Sequence, residues 1–592
     1  MFLATTALSE FWKNDQDVLF LGKWCLRYDR RREWENIHYK VLDYPWDDKL
    51  AYERARDYCN RIYGFLLTNL TECLNTIHNV EHSRRYWEII IGPWLLHFIH
   101  AFYDRYICLK YTFERYPNLD TLCLSERSYL TPIDLTNFKS LSTDDPYNLQ
   151  LYSQLIKLMG YTKPERDYKV ATKKVSLLGH GMSQQIKMRA KNILKKLAPF
   201  FNALGGRLSS KLIGQMNIRE LDVLKICLKS GFKIWPLLPI EMNISQYPTN
   251  NEVRKKLLNI TDCDTNDPFQ KIIIQALPCN FPVSYIEGYS TIRNYILKVF
   301  VGSTKTIIDS VGWFLNEPFK VLAAEKSESG TILLGVQHGG VYGIARDMPI
   351  EDHEVSIADF FFSWGWKRED CMKVIPMPNP KLSHLRKRSI HRKIPDKGSI
   401  LHISTIYSRY LEFFRSVPIG PQVMDYLENQ YVFIQSLPLR IHQMMIIRPY
   451  SWNAYGWQQS QRFKEKFPNI KIDDHSKSFY ERLEMCRLVV CSDNQTTFLE
   501  SMVFNVPTLL FIDPKQWKIC ADAAPFYQEL ERVGILSWEP REAALKVIEI
   551  YDDTIAWWFS NEIQSVRKDF ISRFALGSEN WLRIWVDKLV HL

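Results

Sequence analysis

The chain has 592 residues, which is too many for one hydrophobic core, so two or three domains are expected. Hydrophobic residues make up 46% of the sequence and charged residues 24%, as in an ordinary globular protein rather than a disordered chain. The net charge is +10, and the twelve cysteines show neither a CxxC pair nor a Cys/His metal pattern. We therefore expect buried thiols in a reducing compartment and no metal site.

The most apolar stretch, Ile89 to Phe102, is shorter than the roughly 20 residues that a membrane-spanning helix needs. It also contains Pro93, His97 and His100, so it predicts a buried core helix. The first residues show no basic region followed by a long apolar run, and no signal peptide is expected. These features indicate a cytoplasmic protein that is at most peripheral to the inner membrane.

Most of the excess positive charge lies between Lys163 and Lys196, where ten Lys or Arg residues face only Glu165 and Asp167. Two interpretations remain open: a solvated helix face with a loop, or contact with the anionic inner-membrane surface. No aromatic-interleaved nucleic-acid module accompanies this charge, so nucleic acid is not an expected partner.

The pattern along the chain changes from mixed to alternating. Val18 to Leu21 predicts a buried strand that meets Gly22, and Lys49 to Tyr116 is helical in its apolar spacing. The region from about 120 to 265 is interpreted as a mostly helical insertion. Beyond it, strand-like runs are separated by helical stretches, namely Phe319 to Ala323, Thr331 to Gln337, Asp359 to Ser363, Ser399 to Ser404, Gln443 to Arg448, Leu488 to Cys491 and Pro507 to Ile512.

This alternation of apolar strands and helices is typical of parallel sheets covered on both faces. We predict an α/β fold with two Rossmann-like domains that face a cleft, the first enlarged by helical insertions. The charged segment Arg386 to Lys397, with Pro395, is interpreted as the linker. The predicted division is 1–390, 391–575 and a C-terminal helix, 576–592, that packs back on the first domain.

The most informative motif is Asp493-Asn494-Gln495-Thr496-Thr497 followed by Glu500, between two predicted strands. In such sheets a helix N-terminus at a strand end offers free amides and a partial positive charge to phosphate. Thr496 and Thr497 add hydroxyl donors, and Glu500 could accept hydrogen bonds from a ribose. The alternative is a capped helix whose Glu500 only complements the helix dipole.

A second motif, His338-Gly339-Gly340-Val341-Tyr342-Gly343, follows a predicted strand. The glycines allow the backbone to approach a ligand closely. His338 at the strand end could act as general base on an acceptor hydroxyl, or as a cation against phosphate. The alternative is a structural turn with a hydrogen-bonded histidine.

Carboxylates and tryptophans follow this turn. Glu354 and Asp359 are candidates for orienting His338 or for acting as the base, although such clusters are also found in solvated loops. Trp364 and Trp366 flank Gly365 and could form a sugar or base platform, or could belong to the core.

Two strand ends in the second half add phosphate ligands. Ser404 and Thr405 follow the first strand of that half, where a phosphate-facing loop is expected. Arg448 ends the next predicted strand, where its guanidinium could bind phosphate through two hydrogen bonds.

Several of these segments resemble a family of transferases encoded in bacterial surface-carbohydrate loci (O-antigen and capsule). More loosely, the Gln-His-Gly turn and the Thr-Thr-x-x-Glu helix resemble those of two-domain GT-B glycosyltransferases. The segments are Leu3 to Leu8, Phe20 to Cys25, Ser83 to Trp87, Gly92 to Leu95, Gln337 to Gly343, Ser363 to Trp366 and Asp493 to Glu500.

The resemblance implies metal-independent transfer at the cytoplasmic face, with donor nucleotide on the C-terminal domain and a glycan or lipid-linked acceptor on the N-terminal domain. Relatives use cytidine-activated sugars such as Kdo, or polyol phosphates. We therefore expect a glycosyltransferase that uses a nucleotide-sugar donor, CMP-linked sugars included, and needs no further cofactor. The alternatives are a polyol-phosphate or other phosphotransferase, and a non-catalytic scaffold of a glycan-assembly complex.

Overall fold

The structure is a computed structural model that describes residues 1–592 except 14, 170–196, 241, 261–263, 265, 391, 393, 394, 396, 397 and 452–454. Most of the basic stretch discussed above, 170–196, therefore lies outside the described residues, as does part of the predicted linker. Strands are numbered β1 to β17 and helices α1 to α23 in chain order.

A small parallel sheet and two long helices begin the chain. The sheet has the order β1-β2-β3, formed by Phe2–Ala4, Val18–Phe20 and Tyr39–Val41. Helix α1 (Lys49–His78) is capped by the Asp48 side chain, and α2 (Arg84–Arg115) by that of Ser83. Ile89 to Phe102 lies within α2 and is buried throughout, so the prediction of a core helix is confirmed.

The first large sheet has six parallel strands in the order β11-β10-β9-β8-β6-β7. A two-stranded parallel pair, β4 (Cys123–Leu124) with β5 (Glu165–Arg166), lies apart from it. The strands of the large sheet are β6 (Lys211–Ile213), β7 (Ile234–Pro236), β8 (Thr306–Asp309), β9 (Ile332–Val336), β10 (Phe360–Ser363) and β11 (Val374–Pro376).

The second large sheet also has six parallel strands, in the order β14-β13-β12-β15-β16-β17. Three of its inner strands, β12, β15 and β16, are among the most buried parts of the chain, as expected for mostly apolar strands covered on both faces. The strands are β12 (Ser399–Ile403), β13 (Met445–Arg448), β14 (Lys471–Ile472), β15 (Cys486–Cys491), β16 (Thr508–Phe511) and β17 (Leu536–Ser537).

Helices cover the sheets. Those of the first half are α3 (Leu135–Ser142), α4 (Asp145–Leu158), α5 (197–208), α6 (Glu220–Lys229), α7 (Asn251–Lys255), α8 (Pro268–Asn280), α9 (Tyr289–Val299), α10 (Gly312–Leu315), α11 (Glu317–Glu328), α12 (Pro349–Ile357) and α13 (Pro380–Ser389). Those of the second half are α14 (Val423–Gln435), α15 (Leu439–His442), α16 (Gln459–Lys466), α17 (Phe479–Met485), α18 (Thr496–Val503), α19 (Ala524–Arg532), α20 (Pro540–Ile550), α21 (Thr554–Trp558), α22 (Asn561–Phe574) and α23 (Trp581–His591).

The predicted fold class, an α/β chain with two Rossmann-like parallel sheets, is confirmed. One predicted strand is wrong: Phe319 to Ala323 lies in α11, because Asn316 caps that helix and Pro318 fits its first turn. The region interpreted as a helical insertion, 120–265, contributes β6 and β7 to the first large sheet. The charged segment predicted as linker begins inside α13.

A loop of the second half inserts into the first. After β12, residues 409–414 contact α2 and α4 of the first half. Arg409 pairs there with Asp145 at 2.7 Å, and both side chains are 1% exposed. The Tyr410 hydroxyl donates to the same carboxylate at 2.7 Å, and Arg105 donates to the Leu411 carbonyl at 2.6 Å. The Arg409 charge holds the pKa of Asp145 near 2 despite its burial, which alone would raise it.

The last helix returns to the first sheet. Trp581, Trp585 and Leu589 of α23 pack in one cluster with Ile213 and Phe362 of that sheet. Lys211 of β6 donates from Nζ to the Leu589 carbonyl at 2.6 Å, which satisfies an end group of the helix. Helix α23 thus packs on the sheet to which β6 belongs, some 370 residues earlier in the sequence.

Candidate functional site

The two large sheets meet at the loop after β9 and the start of α18. The Gly340 amide donates to Oγ1 of Thr496 at 3.1 Å. A Cβ atom on Gly340 would lie 2.5 Å from the Thr496 backbone nitrogen, so only glycine permits this approach. The structure thus brings the His-Gly-Gly turn and the Thr-Thr motif, 156 residues apart in sequence, into direct contact.

His338 belongs to a hydrogen-bonded cluster at this junction. Its Nε2 lies 2.9 Å from Oε1 of Glu354, which α12 presents with its side chain 1% exposed. The Tyr342 hydroxyl lies 2.9 Å from the same nitrogen and 3.1 Å from Oε2 of Glu354. Since a carboxylate can only accept, Nε2 carries the proton and Nδ1 is the nitrogen that can receive one.

The electrostatics of the cluster keep His338 basic. Burial lowers the pKa of His338, but the charge and hydrogen bond of Glu354 raise it by more, so the net pKa lies above its ordinary value. A histidine oriented through one nitrogen by a buried carboxylate has the arrangement of a general base. The predicted pairing of His338 with Glu354 is therefore present in the structure.

Gln337 holds the turn that carries His338. Its Oε1 accepts from the Trp364 amide at 2.7 Å and from the Trp366 indole at 2.8 Å, while its Nε2 donates to the Gly339 carbonyl at 2.7 Å. Both tryptophans are buried, so they hold this turn from the side of the core. Their interpretation as a sugar platform is wrong, and the alternative, a place in the core, is confirmed.

Asp309, at the end of β8, is a site residue that the sequence interpretation missed. Its carboxylate accepts from the Gln215 amide at 2.7 Å and also from the Gly312 amide. Burial raises the pKa of Asp309 to about 7, and its charge raises the pKa of His338. The sequence contains a signal for this residue, because the apolar run Thr306 to Ile308 predicts a strand that Asp309 and then Gly312 follow.

Asp493 and Asn494 shape the loop before α18. Both are 2% exposed, and Asp493 accepts from the Gln495 amide at 3.0 Å. Burial raises the pKa of Asp493 to about 6. Gln495, Thr496 and Thr497 are only half-buried, so they and the free amides of the first helical turn form the accessible part of the motif.

Ser404 and Thr405 lie beside this loop because β12 and β15 are neighbours. The Tyr426 hydroxyl accepts from the Thr405 amide at 2.9 Å and lies 2.7 Å from Oγ of Ser492. Ser404 is buried and receives a hydrogen bond from Gln459, whereas Thr405 is half-buried. Of the two, Thr405 is the better placed to reach a ligand.

Arg448 and Glu500 already have protein partners. Arg448 ends β13 as predicted, but its guanidinium pairs with buried Asp473 and donates to the Lys477 carbonyl at 3.2 Å. Oε1 of Glu500 accepts from Lys381 of α13 at 2.6 Å and from Tyr480 at 3.0 Å. A role for Glu500 on a ribose would therefore rest on Oε2.

Asp359 lies at the wrong end of the first sheet. It accepts from the Leu333 amide at 2.8 Å, at the start of β9, whereas His338 follows the end of that strand. Five residues of strand at about 3.3 Å each separate the two ends. Asp359 pairs instead with Arg85 of α2 at 2.9 Å, so its proposed catalytic role is wrong.

Comparison with known families decides where the chain belongs. The model of the LIC12162 family of transferases matches residues 1–589. The chain is a member of this family. No curated protein matches this transferase.

Solved structures resemble the transferase only weakly. A structure of the wall teichoic acid polymerase TagF matches with 10% identity and a TM-score of 0.32, over 70% of this chain and 98% of the other. Trehalose-6-phosphate synthase (TM-score 0.35) and Acinetobacter baumannii MurG (0.34) each match at 10% identity over 65% of this chain and 99% of theirs. At such TM-scores these likenesses carry no argument about function.

The described residues offer neither a metal cluster nor a membrane-spanning helix. In that part of the transferase, no three His, Cys, Asp or Glu side chains group so that they could hold a metal ion. None of its helices combines the length and apolar character needed to cross a membrane. Transfer without a metal stays a prediction.

Proposed function

We propose that this LIC12162-family transferase moves a sugar from a nucleotide-activated donor to a hydroxyl of a surface-glycan or lipid-linked acceptor. The observation that carries the proposal is the contact of the His338–Glu354 pair with the start of α18, through Gly340 and Thr496. A base and a phosphate-binding helix end then lie on opposite walls of one cleft. Direct displacement at the anomeric carbon uses both groups, the base on the acceptor hydroxyl and the helix end on the leaving phosphate.

In this mechanism the donor phosphate lies at the first turn of α18. The free amides there, the hydroxyl of Thr497 and that of Thr405 are the groups that donate to it. They would stabilise the charge that develops as the phosphate leaves. Closing the cleft around the donor would exclude water and limit its hydrolysis.

The acceptor approaches His338 from the first half of the chain. Its hydroxyl oxygen forms a bond to the anomeric carbon as the bond from that carbon to the phosphate oxygen breaks. The phosphate leaves with the electron pair, and the hydroxyl proton passes to Nδ1 of His338. Glu354 stabilises the resulting imidazolium.

A donor panel tests the reaction class. The wild-type protein is incubated with nucleotide sugars and candidate acceptor glycans, cytidine-activated sugars first because the motif resemblance implies them, and products are analysed by mass. We expect a product heavier by one glycosyl unit and saturable nucleotide binding by calorimetry. A product heavier by an alditol phosphate would indicate phosphotransfer, and no binding of any nucleotide would indicate a scaffold.

We also propose that the transferase binds the anionic inner-membrane surface through α6. Leu221, Leu224 and Leu228 are 67%, 44% and 54% exposed on one face of this helix, and Lys225 and Lys229 lie beside them. Apolar side chains flanked by lysines fit the interface of an anionic bilayer, and the net charge of +10 has the matching sign.

Vesicle co-sedimentation tests this surface. We expect binding to vesicles that contain phosphatidylglycerol, little binding to neutral vesicles, and about tenfold weaker binding for Leu224→Ser/Leu228→Ser. Leu545→Ser, at a leucine 65% exposed on α20, is the matched control and should bind like wild type. Equal binding by the double variant and the control would refute the role of α6.

A further inference from the structure

Lys139, on α3, is half-buried, and its ammonium group lies over an aromatic ring rather than beside a carboxylate. Its Nζ lies 4.5 Å from the ring centre of Phe314, which belongs to α10. Within the described part of the chain, no carboxylate lies within 4.0 Å of this nitrogen. The charge of Lys139 also lowers the pKa of His338.

Arg415 approaches the same region from the loop that follows β12. Its guanidinium carbon lies 5.1 Å from the ring centre of Tyr407 and 4.9 Å from that of Phe413. Glu412 is its carboxylate partner, at 3.2 Å. The Tyr407 hydroxyl accepts from Gln495, the residue before α18, so Arg415 is connected to the donor side of the cleft.

The two cations act on common neighbours. The ring centre of His97 lies 4.5 Å from that of Phe413 and 5.5 Å from that of Phe314. Burial lowers the pKa of His97, and the charges of Lys139 and Arg415 lower it further. Burial also lowers the pKa of Lys139, and Arg415 lowers it further, against the opposing charge of Glu412. Only Arg415 pairs directly with a carboxylate, that of Glu412. Two half-buried positive charges with one direct carboxylate partner between them cost free energy until an anion joins them.

We infer that Lys139 and Arg415 form a binding site for a phosphate-type oxyanion. Phe314, Phe413 and Tyr407 frame the site, and the Tyr407 hydroxyl connects it to Gln495, just before α18. The ligand would be a phosphate group of the substrates, carried either by the donor nucleotide or by a phosphorylated acceptor. The site deepens the proposed function and rests on it for its role in transfer. Its capacity to bind an oxyanion is independent of that role.

The site would also connect the two halves of the molecule. Lys139 comes from the first half, whereas Arg415 comes from the loop of the second half. A phosphate that binds both cations would be held by both walls of the cleft at once. Its charge would also offset the influence of Lys139 on His338 and so favour the protonated product of the base.

Pyrophosphate and cytidine monophosphate, titrated separately by calorimetry, serve as the probes. We expect saturable pyrophosphate binding by the wild type and binding that is weaker by about tenfold or more in Lys139→Met and Arg415→Met. Lys139→Arg keeps the charge and should bind within about threefold of the wild type. Lys568→Met, at an exposed lysine of α22, removes the same charge elsewhere and should leave binding unchanged.

The two probes separate the two sources of the phosphate. If the Met variants lose affinity for both probes, the site holds the donor phosphate; if they lose only pyrophosphate, it holds an acceptor phosphate. Undiminished pyrophosphate binding in both Met variants, or none in the wild type, overturns the site even where glycosyl transfer is established. Reduced binding in a protein that transfers no sugar would retain the site and reject the function. A thermal melt of each variant distinguishes lost binding from lost folding.

Discussion

His338→Ala is expected to lower the rate of glycosyl transfer by about 10²–10⁴-fold, the usual contribution of a positioned general base. Nucleotide affinity should stay within about threefold of the wild type, because the phosphate groups lie at α18 rather than at the imidazole. Initial rates at saturating donor, together with calorimetry on the same preparation, measure both quantities. Full activity in His338→Ala would exclude the histidine from the chemistry.

Glu354→Gln is the matched variant, because it keeps a hydrogen-bonding group of the same size and removes the charge. His338 must be neutral to accept a proton, so the wild-type rate should rise with pH through a pKa above the ordinary histidine value. Without the carboxylate that raises it, this pKa falls, and the rising limb moves to lower pH while the maximal rate drops. A pH profile unchanged in Glu354→Gln would show that another group is the base.

Asp145→Ala is expected to lower the free energy of unfolding by about 3–5 kcal/mol, because it leaves the buried Arg409 guanidinium without its carboxylate. The Tyr410 hydroxyl and the Ala7 amide lose the same acceptor. Urea denaturation followed by tryptophan fluorescence reports the change, and several buried tryptophans lie close to this loop or in the same core.

The exposed neighbour of this pair supplies the control. Arg27 pairs with Asp145 at 3.2 Å and also with Asp29 at 2.7 Å. The Asp29 side chain is 31% exposed, so Asp29→Ala should cost less than about 1 kcal/mol. The double variant Asp145→Leu/Arg409→Met removes both charges and should recover much of the lost stability. If Asp145→Ala proves as stable as Asp29→Ala, the loop after β12 does not tie the halves together.

The elements that the sequence predicted well share one property. β9, β12 and β15 are mostly apolar runs that polar residues follow, and such runs mark buried parallel strands. β6 and β7 were not predicted because each has only three residues, and β6 begins with the charged residue Lys211. The error over Phe319 to Ala323 arose because an apolar run buried on all sides does not distinguish a helix from a strand.

The site residues show a similar limit. His338 and Thr496 could be identified because each follows a predicted strand, and the carboxyl ends of parallel strands meet at one edge. Asp359 precedes its strand, so the same rule already placed it at the opposite edge. The pair of Glu500 with Lys381 joins α18 to α13 of the other half, and no local pattern encodes the relative orientation of two domains.

The docking of α23 has a consequence for synthesis on the ribosome. The apolar face formed by Ile213 and Phe362 is covered by Trp585 of α23, which is made only after the whole second half. Throughout translation of the second half, that face of the first sheet stays open to solvent and to other nascent chains. Completion of the earlier domain must therefore wait until α23 is made, and loss of α23 would leave this face of the first sheet uncovered.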